Sequence, residues 1–265
     1  MTLLVIVTFA FGQRWRFRER NSSLDSDPPA AWEVEEEFRK DVFTFNRIKY
    51  DVWGYNGWGG EHWATDAPDA EWNYVFRLQQ VTSMKVHPKG QVIQLTDKEL
   101  FNQPFIYIVE PGSLLFSEDE VTTLRKYLLN GGFLMVDDFW GERQWHNLYE
   151  QLKRVLPDRE PEDVQLDHPI FNCVFPLKER PQIPNIRTGT ESQYTGITWE
   201  TYDSQEVHYR AFYDDKRRIM VMICHNTDLG DGWEREGENE YYFREFSEKK
   251  AYPLGINILF YAMTH

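Results

Sequence analysis

The chain has 265 residues, 41% hydrophobic and 27% charged, proportions that belong to a folded domain with a large core and exclude disorder throughout. Its formal net charge of −14 at pH 7 argues against general nucleic-acid binding and against docking on an anionic membrane, since both draw on a basic footprint. Two cysteines, Cys173 and Cys224, are too few for a disulfide framework, and two buried free thiols are favoured over a single bridge. No Cys/His spacing suits a structural zinc ion, and no cofactor is expected.

Residues Thr2–Phe11 form an apolar run shorter than the roughly 20 residues that span a bilayer, so no stable membrane span is expected. The run resembles the apolar region of a secretory signal, with Gly12 near a cleavage position. A basic segment ahead of it is missing, however, and Arg14, Arg16, Arg18 and Arg20 follow it; a truncated or misplaced start would give the same pattern. Export to a periplasmic or outer location is favoured over the cytosol. Ser22, Ser23, Asp25, Pro28 and Pro29 mark residues 21–31 as a linker, so residues 1–31 are set apart from a single domain over 32–265.

Glu33–Lys40 suits a short charged helix, and the alternation of Phe43 and Phe45 with Thr44 and Asn46 predicts a strand over Val42–Tyr50. The following loop, Trp53–Trp63, combines glycines with aromatics. Such a loop either packs over the sheet edge or offers a stacking surface to a sugar or another flat ligand. Asp66 is the expected N-cap of a helix with Pro68 in its first turn and Ala70, Tyr74, Leu78 and Val81 at helical spacing. Short strands are expected at Met84–Val86 and Gln91–Leu95, and the continuous apolar run Phe105–Val109 fits a strand buried on both faces.

Ser117 and Glu120 form a capping box ahead of a helix whose buried face is Val121, Leu124 and Leu128, and Gly131 sits where a left-handed cap is wanted. The strand Phe133–Val136 then runs into Asp137-Asp138, and a helix from Glu142 to Leu156 stops at Pro157. Strand and helix in alternation predict a doubly wound, mostly parallel sheet, in which ligands are held at the carboxyl ends of the strands. Residues 176–201, rich in proline and glycine, read as an excursion. A hairpin, Val207–Tyr213 with Arg218–Cys224, and a last helix over Pro253–Met263 complete the chain.

Asp137 and Asp138, adjacent on a strand, point to opposite faces, so one is expected to face the crevice while the other caps a helix or pairs with a cation such as Arg143. Together with a distant partner they would bind a metal or act as acid and base. The segment His225–Glu234 directly follows a predicted strand and lies on the same edge, with Asp228 and Asp231 as oxygen donors. Its spacing does not match a calcium loop; a turn organised by Asx hydrogen bonds and a cation site are both open. Cys224 and His225 point apart as strand neighbours and make a poor nucleophilic dyad. The Gly-x-Ser-x-Gly elbow, the phosphate-binding loop and the dinucleotide fingerprint are all missing from the chain.

Six segments in order, among them Phe45–Tyr50, Trp63–Ala70 with Asn73 and Arg77, Leu129–Asp138 and Asp167–Phe171, resemble a bacterial family, the domain-of-unknown-function family 4159. The others are Asn226–Glu234 and Tyr252–Asn257, so that the resemblance spans about residues 42–265. That family is similar to class I glutamine amidotransferases, which implies a three-layer α/β/α sandwich of flavodoxin-like or Rossmann-like kind. Those enzymes carry a cysteine in a tight turn after a strand; the corresponding turn here holds Asp137-Asp138-Phe139, so the glutaminase reaction does not carry over. The expected function is therefore binding of a ligand, a glycan first among them, or of a protein partner at the strand-end crevice. Trp58, Trp63, Asp66, Asp137, Asp138, Asp228, Asp231 and Trp233 are the expected contacts. A carboxylate- or metal-assisted hydrolase and a structural scaffold module are the alternatives.

Overall fold

The computed structural model describes residues 27–28, 32–38, 41–53 and 62–265. Asn46–Lys49 (β1) leads into the two-residue strand Asp51–Val52 (β2), and helix Asp69–Val81 (α1) precedes Gln91–Gln94 (β3). Phe105–Val109 (β4) is followed by Leu114–Leu115 (β5), helix Glu118–Leu129 (α2), Phe133–Asp137 (β6) and helix Gly141–Val155 (α3). Next come Glu162–Asp163 (β7), helix Ile186–Thr195 (α4) and the hairpin of His208–Tyr213 (β8) with Ile219–His225 (β9). Short helices Leu229–Glu234 (α5) and Glu240–Tyr242 (α6) then lead through a π-helical stretch, Phe243–Ala251, into the last helix, Tyr252–Thr264 (α7).

The main sheet has seven strands in the order β3-β1-β4-β6-β9-β8-β7. Its first five are parallel and the last two antiparallel. From β1 the chain steps to β3 on one side and then to β4 on the other, so the order reverses between β1 and β4. At such a switch point the connections leave the sheet in opposite directions and open a crevice at the carboxyl ends. The loops leaving β1 and β4 there are tied together by a small antiparallel pair, β2 with β5.

Alternation along the buried strands divides the apolar residues between two cores. Phe105, Tyr107 and Val109 share one with Phe133, Met135, Met222 and Cys224, under Tyr74 and Leu78 of α1, Trp233 of α5 and Leu254 and Ile258 of α7. Ile106, Ile108, Leu134, Val136, Val221 and Ile223 face the other, under Leu124 and Leu128 of α2 and Leu148 and Leu152 of α3. Helices on both faces of a mostly parallel sheet make a three-layer α/β/α sandwich, as expected.

Local signals explain several boundaries. Ser117 Oγ accepts from the Glu120 amide while the Glu120 carboxylate accepts from the Ser117 amide, closing both sides of the capping box. Gly131, at φ +103°, makes the left-handed turn after α2. Three expectations are corrected. Asp66 does not cap α1: the helix starts at Asp69 behind Pro68, and Asp66 stands in the preceding turn with φ +65°. Met84–Val86 is not a strand but a single bridge between Val86 and Phe43, because no neighbour extends the pairing. Cys173 and Cys224 are both free, but only Cys224 is buried; Cys173 is exposed and donates to the Asn257 carbonyl. Residues 176–201 contain α4, and among the described residues of the charged segment Glu36–Phe38 forms a 3₁₀ turn. The signal-like segment and Trp58 lie outside the described residues.

Trp233 anchors α5 to the sheet. It is buried, 4.6 Å from the Tyr74 ring and 6.1 and 6.3 Å from Tyr107 and Phe45. Removing a buried indole costs its transfer energy and leaves a cavity, so Trp233→Ala should lower stability by about 3–5 kcal/mol. Urea unfolding followed by circular dichroism measures the loss; a change within 1 kcal/mol would contradict this anchoring role.

Candidate functional site: an acidic cavity at the strand ends

The connections that leave β1, β4, β6 and β9 meet over the switch point and line an open cavity of about 760 Å³, within the size range of small-molecule sites. From the loop after β1 come His62 and Asp66, from the end of β4 Glu110, from the end of β6 Asp138, and from the turn after β9 Asp228. Asp231 and Glu234 on α5 and Glu200 from the excursion add three further carboxylates to the wall.

Several buried interactions impose this convergence. Arg47 of β1, itself buried and paired with Glu71, donates to the carbonyls of Trp63 (3.0 Å) and Thr65 (2.7 Å), which pins the turn carrying Asp66. Gly230 allows Asp66 to approach α5, because a Cβ there would collide with Asp66 Oδ2. The turns after β6 and β9 are knitted together. Asn226 donates its amide to the Phe139 carbonyl (2.9 Å) and accepts from the Gly141 amide (2.8 Å) on Oδ1. The excursion docks on the second turn through Ile183, which donates to Thr227 Oγ1 and accepts from the Asp228 amide. That contact brings Asn185, Ile186 and Glu200 to the cavity wall.

The two adjacent aspartates point apart, Asp137 as the last residue of β6 and Asp138 just beyond it. Asp138, at φ +54°, turns into the cavity and accepts from Trp140 Nε1 (3.1 Å). Asp137 points to the opposite side, where its Oδ2 accepts from Tyr107 Oη (3.1 Å) and from the Leu229 (2.9 Å) and Gly230 (3.1 Å) amides. It thus satisfies the first amides of α5 rather than those of the next helix, α3. Asp228 caps the same helix, accepting from the Asp231 amide (2.7 Å). Asp66, Glu110 and Asp138 are all left-handed non-glycine residues, a conformation that costs energy and concentrates at functional sites.

Oxygens of Asp66, Asp138 and Asp228 lie within 4.8 Å of one another, as do those of Asp66, Asp231 and Glu234. The second group has a resident counter-charge: Arg235 pairs with Glu234 (2.5 Å) and Asp231 (3.3 Å). None of Asp66, Asp138 and Asp228 forms an ion pair with a described residue, and Asp66 Oδ2 is shut off from solvent without a hydrogen-bond partner. Burial, and then the neighbouring carboxylates, push all three well above the ordinary aspartate range. Two like charges about 4 Å apart repel by roughly 4 kcal/mol near a protein surface, so the trio is stable only with bound protons or a cation.

A histidine–carboxylate pair faces the same cavity. His62 Nδ1 lies 2.6 Å from Glu110 Oε2, and both side chains are part-exposed. Glu110 is itself fixed, since its amide donates to the Asp137 carbonyl and its own carbonyl accepts from Tyr50 Oη. His225 has no such freedom. Arg210 donates to its Nδ1 (2.9 Å), so its proton is on Nε2 and goes to the Gly141 carbonyl; burial beside Arg210 lowers its pKa to about 3.

Of the expected contacts, Asp66, Asp138, Asp228 and Asp231 line the cavity, whereas Asp137, Trp63 and Trp233 do not. Trp63 is buried with the Lys49 ammonium over its ring at 5.1 Å, and Trp233 belongs to the core. Trp140, His62, Glu110, Glu200 and Arg143 line the cavity as well. Glu110 carried the signal already used for Asp137, a polar residue at the end of a buried strand; Glu200 carried none.

Fold and cavity together define a doubly wound α/β/α domain with a carboxylate-rich site over its switch point. The chain belongs to the family described as Domain of unknown function (DUF4159), which matches residues 44–263. No curated protein matches it.

Asp137 makes stability depend on pH in a definite direction. Burial raises its pKa from 3.8 to about 7 in the fold, so the native state holds a proton that the unfolded chain releases. Its contribution is therefore greatest below pH 4 and is lost as pH rises towards 7. Asp137→Asn keeps an acceptor for the α5 amides and cannot ionise. In chelator-treated protein, its melting temperature should fall less than that of the wild type between pH 4.5 and 7.5. Equal falls would show that Asp137 does not titrate there.

Proposed function

We propose that the domain binds an oxygen-rich small molecule through a divalent cation held by Asp66, Asp138 and Asp228. The observation that carries this reading is the trio of carboxylates without an ion-pair partner among the described residues, with Asp66 Oδ2 buried and lacking a hydrogen-bond partner beside two buried aspartates. An all-oxygen donor set suits a hard cation such as Mg²⁺, Mn²⁺ or Ca²⁺, which would leave coordination positions for ligand oxygens. Glycan hydroxyls meet that requirement. Stacking by Trp63 or Trp233 is not part of the reading, because both rings are buried.

The relation to class I glutamine amidotransferases belongs to this reading as architecture, without the reaction. The turn after β6, where that resemblance would put a nucleophilic cysteine, holds Asp137-Asp138-Phe139, and Cys224, buried on β9, is pushed further from its reactive thiolate by burial. A scaffold role is less well supported, since a scaffold would be expected to fill the crevice with side chains, whereas the described residues leave about 760 Å³ open there. The net charge of −14 also favours a small ligand over a nucleic acid. Among the described residues no helix is long and apolar enough to cross a membrane.

Calorimetric titration of chelator-treated protein with Mn²⁺, Mg²⁺ and Ca²⁺ tests the reading. One stoichiometric site is expected, with a rise in melting temperature that follows cation concentration. Asp66→Ala and Asp138→Asn should each weaken binding more than about tenfold while the fold persists. Gly230→Ala should weaken it too, by displacing Asp66. Wild-type protein that binds none of the three ions at millimolar concentration would overturn the proposal.

A further inference from the structure

We propose that the site hydrolyses a small phosphoester, with His62 as the general base, Glu110 as its positioning residue and Arg143 as the reader of the phosphate. The inference rests on the cation site above, but its own observations concern other residues. His62 and Glu110 both line the cavity, 2.6 Å apart. A carboxylate only accepts, so the bond holds the imidazole proton on Nδ1 and leaves Nε2 with its lone pair. Nε2 has no hydrogen-bond partner among the described residues.

This is the arrangement of a base and its orienting group. It is built rather than incidental. Glu110 sits at the end of β4 in a left-handed conformation, φ +48°, with its amide and its carbonyl both engaged. His62 and Glu110 line the same cavity as Asp66, Asp138 and Asp228, so the pair and the cation trio face one space.

Arg143 decides the substrate class. It stands in the first turn of α3, lines the cavity and is exposed. Unlike Arg235, which is engaged by Asp231, Glu234 and Glu238, it has no ion pair or hydrogen bond among the described residues. A free guanidinium at the mouth of a carboxylate-rich cavity suits an anion with planar pairs of oxygens. Hard cations held by carboxylates commonly complete their shell with phosphate oxygens. A carboxylic ester or amide would leave Arg143 without a partner.

In the reaction, a water gives a proton to His62 Nε2 while its oxygen forms a bond to phosphorus. The phosphorus–oxygen ester bond breaks, its electron pair leaves with the alcohol oxygen, and the proton on His62 passes to that oxygen. The products are an alcohol and a phosphate, with no change of oxidation state. A cation held by Asp66, Asp138 and Asp228 would supply positive charge to the non-bridging oxygens, and Arg143 would neutralise them from its own place on the cavity wall.

The test uses the full chain, freed of metal and reloaded with Mn²⁺, with p-nitrophenyl phosphate, bis-p-nitrophenyl phosphate and p-nitrophenyl acetate as probes. Cation-dependent release of nitrophenol from a phosphate probe, and not from the acetate, is expected. His62→Ala should lower kcat by roughly 10²–10⁴-fold with Mn²⁺ affinity unchanged, and added imidazole should restore part of it. Glu110→Gln should lower kcat more than it changes KM, with partial recovery in Glu110→Asp. Arg143→Ala should chiefly raise KM. Variants whose circular dichroism or melting temperature departs from the wild type are set aside in favour of His62→Gln and Arg143→Lys. Stoichiometric Mn²⁺ binding without phosphoester cleavage would overturn this inference and leave the cation site standing. Cleavage of the acetate alone would overturn the substrate class, and absence of Mn²⁺ binding would overturn both proposals.

Discussion

The hydrogen bonds from the Leu229 and Gly230 amides to Asp137 hold the functional edge together. They join the end of β6 to the first turn of α5, and with it to Asp228 and Asp231, which follow β9. Because Asp137 faces the core, its neighbour Asp138 must face the cavity. One buried carboxylate thereby fixes the place of three others. Tyr107 from β4 donates to the same oxygen, so three adjacent strands share a single anchor.

That anchor works against an electrostatic gradient. The chain gathers Asp66, Glu110, Asp138, Glu200, Asp228, Asp231 and Glu234 around one cavity and supplies Arg235 as a counter-charge on one side. The asymmetry is informative. Neutralising every acid internally would favour the folded state and leave nothing for a cation or a ligand to gain. Covered apolar surface on both faces of the sheet offsets the repulsion, since aromatic packing of Trp233, Tyr74 and Phe45 lies directly behind α5. Stability is concentrated in the core and charge tension at the edge, the usual division between a rigid scaffold and the loops it carries.

Much of the scaffold was legible in the sequence because its signals are local. The uninterrupted apolar run Phe105–Val109, the capping box at Ser117 and the glycine after Leu129 each specify their element without reference to the rest of the chain. The carboxyl-end rule then located Asp138, Asp228 and Asp231. What escaped depends on contacts distant in sequence. Glu200 reaches the cavity only because Ile183 pairs with Thr227 and Asp228, and His62 matters only once Glu110 stands beside it. Asp66 looked like a helix cap because its spacing from Pro68 is right; its left-handed backbone sends the side chain elsewhere. Tryptophan content misled in the opposite direction, since the density of Trp63 and Trp233 in polar segments reflects packing against Lys49 and Tyr74 instead of an exposed surface.

At Asp66, Glu110 and Asp138 the backbone adopts a conformation that glycine would occupy without strain, while each position holds an acid. A glycine at any of them relaxes the local chain at the expense of the side chain that faces the cavity. The three positions thus set ease of the local backbone against the acidic lining of the cavity, and the acids prevail. Among members of the family they serve as a gauge. A relative with glycine at these places would keep the scaffold in a more comfortable form and lose the acids that line the cavity, whereas acids at all three would preserve its charge.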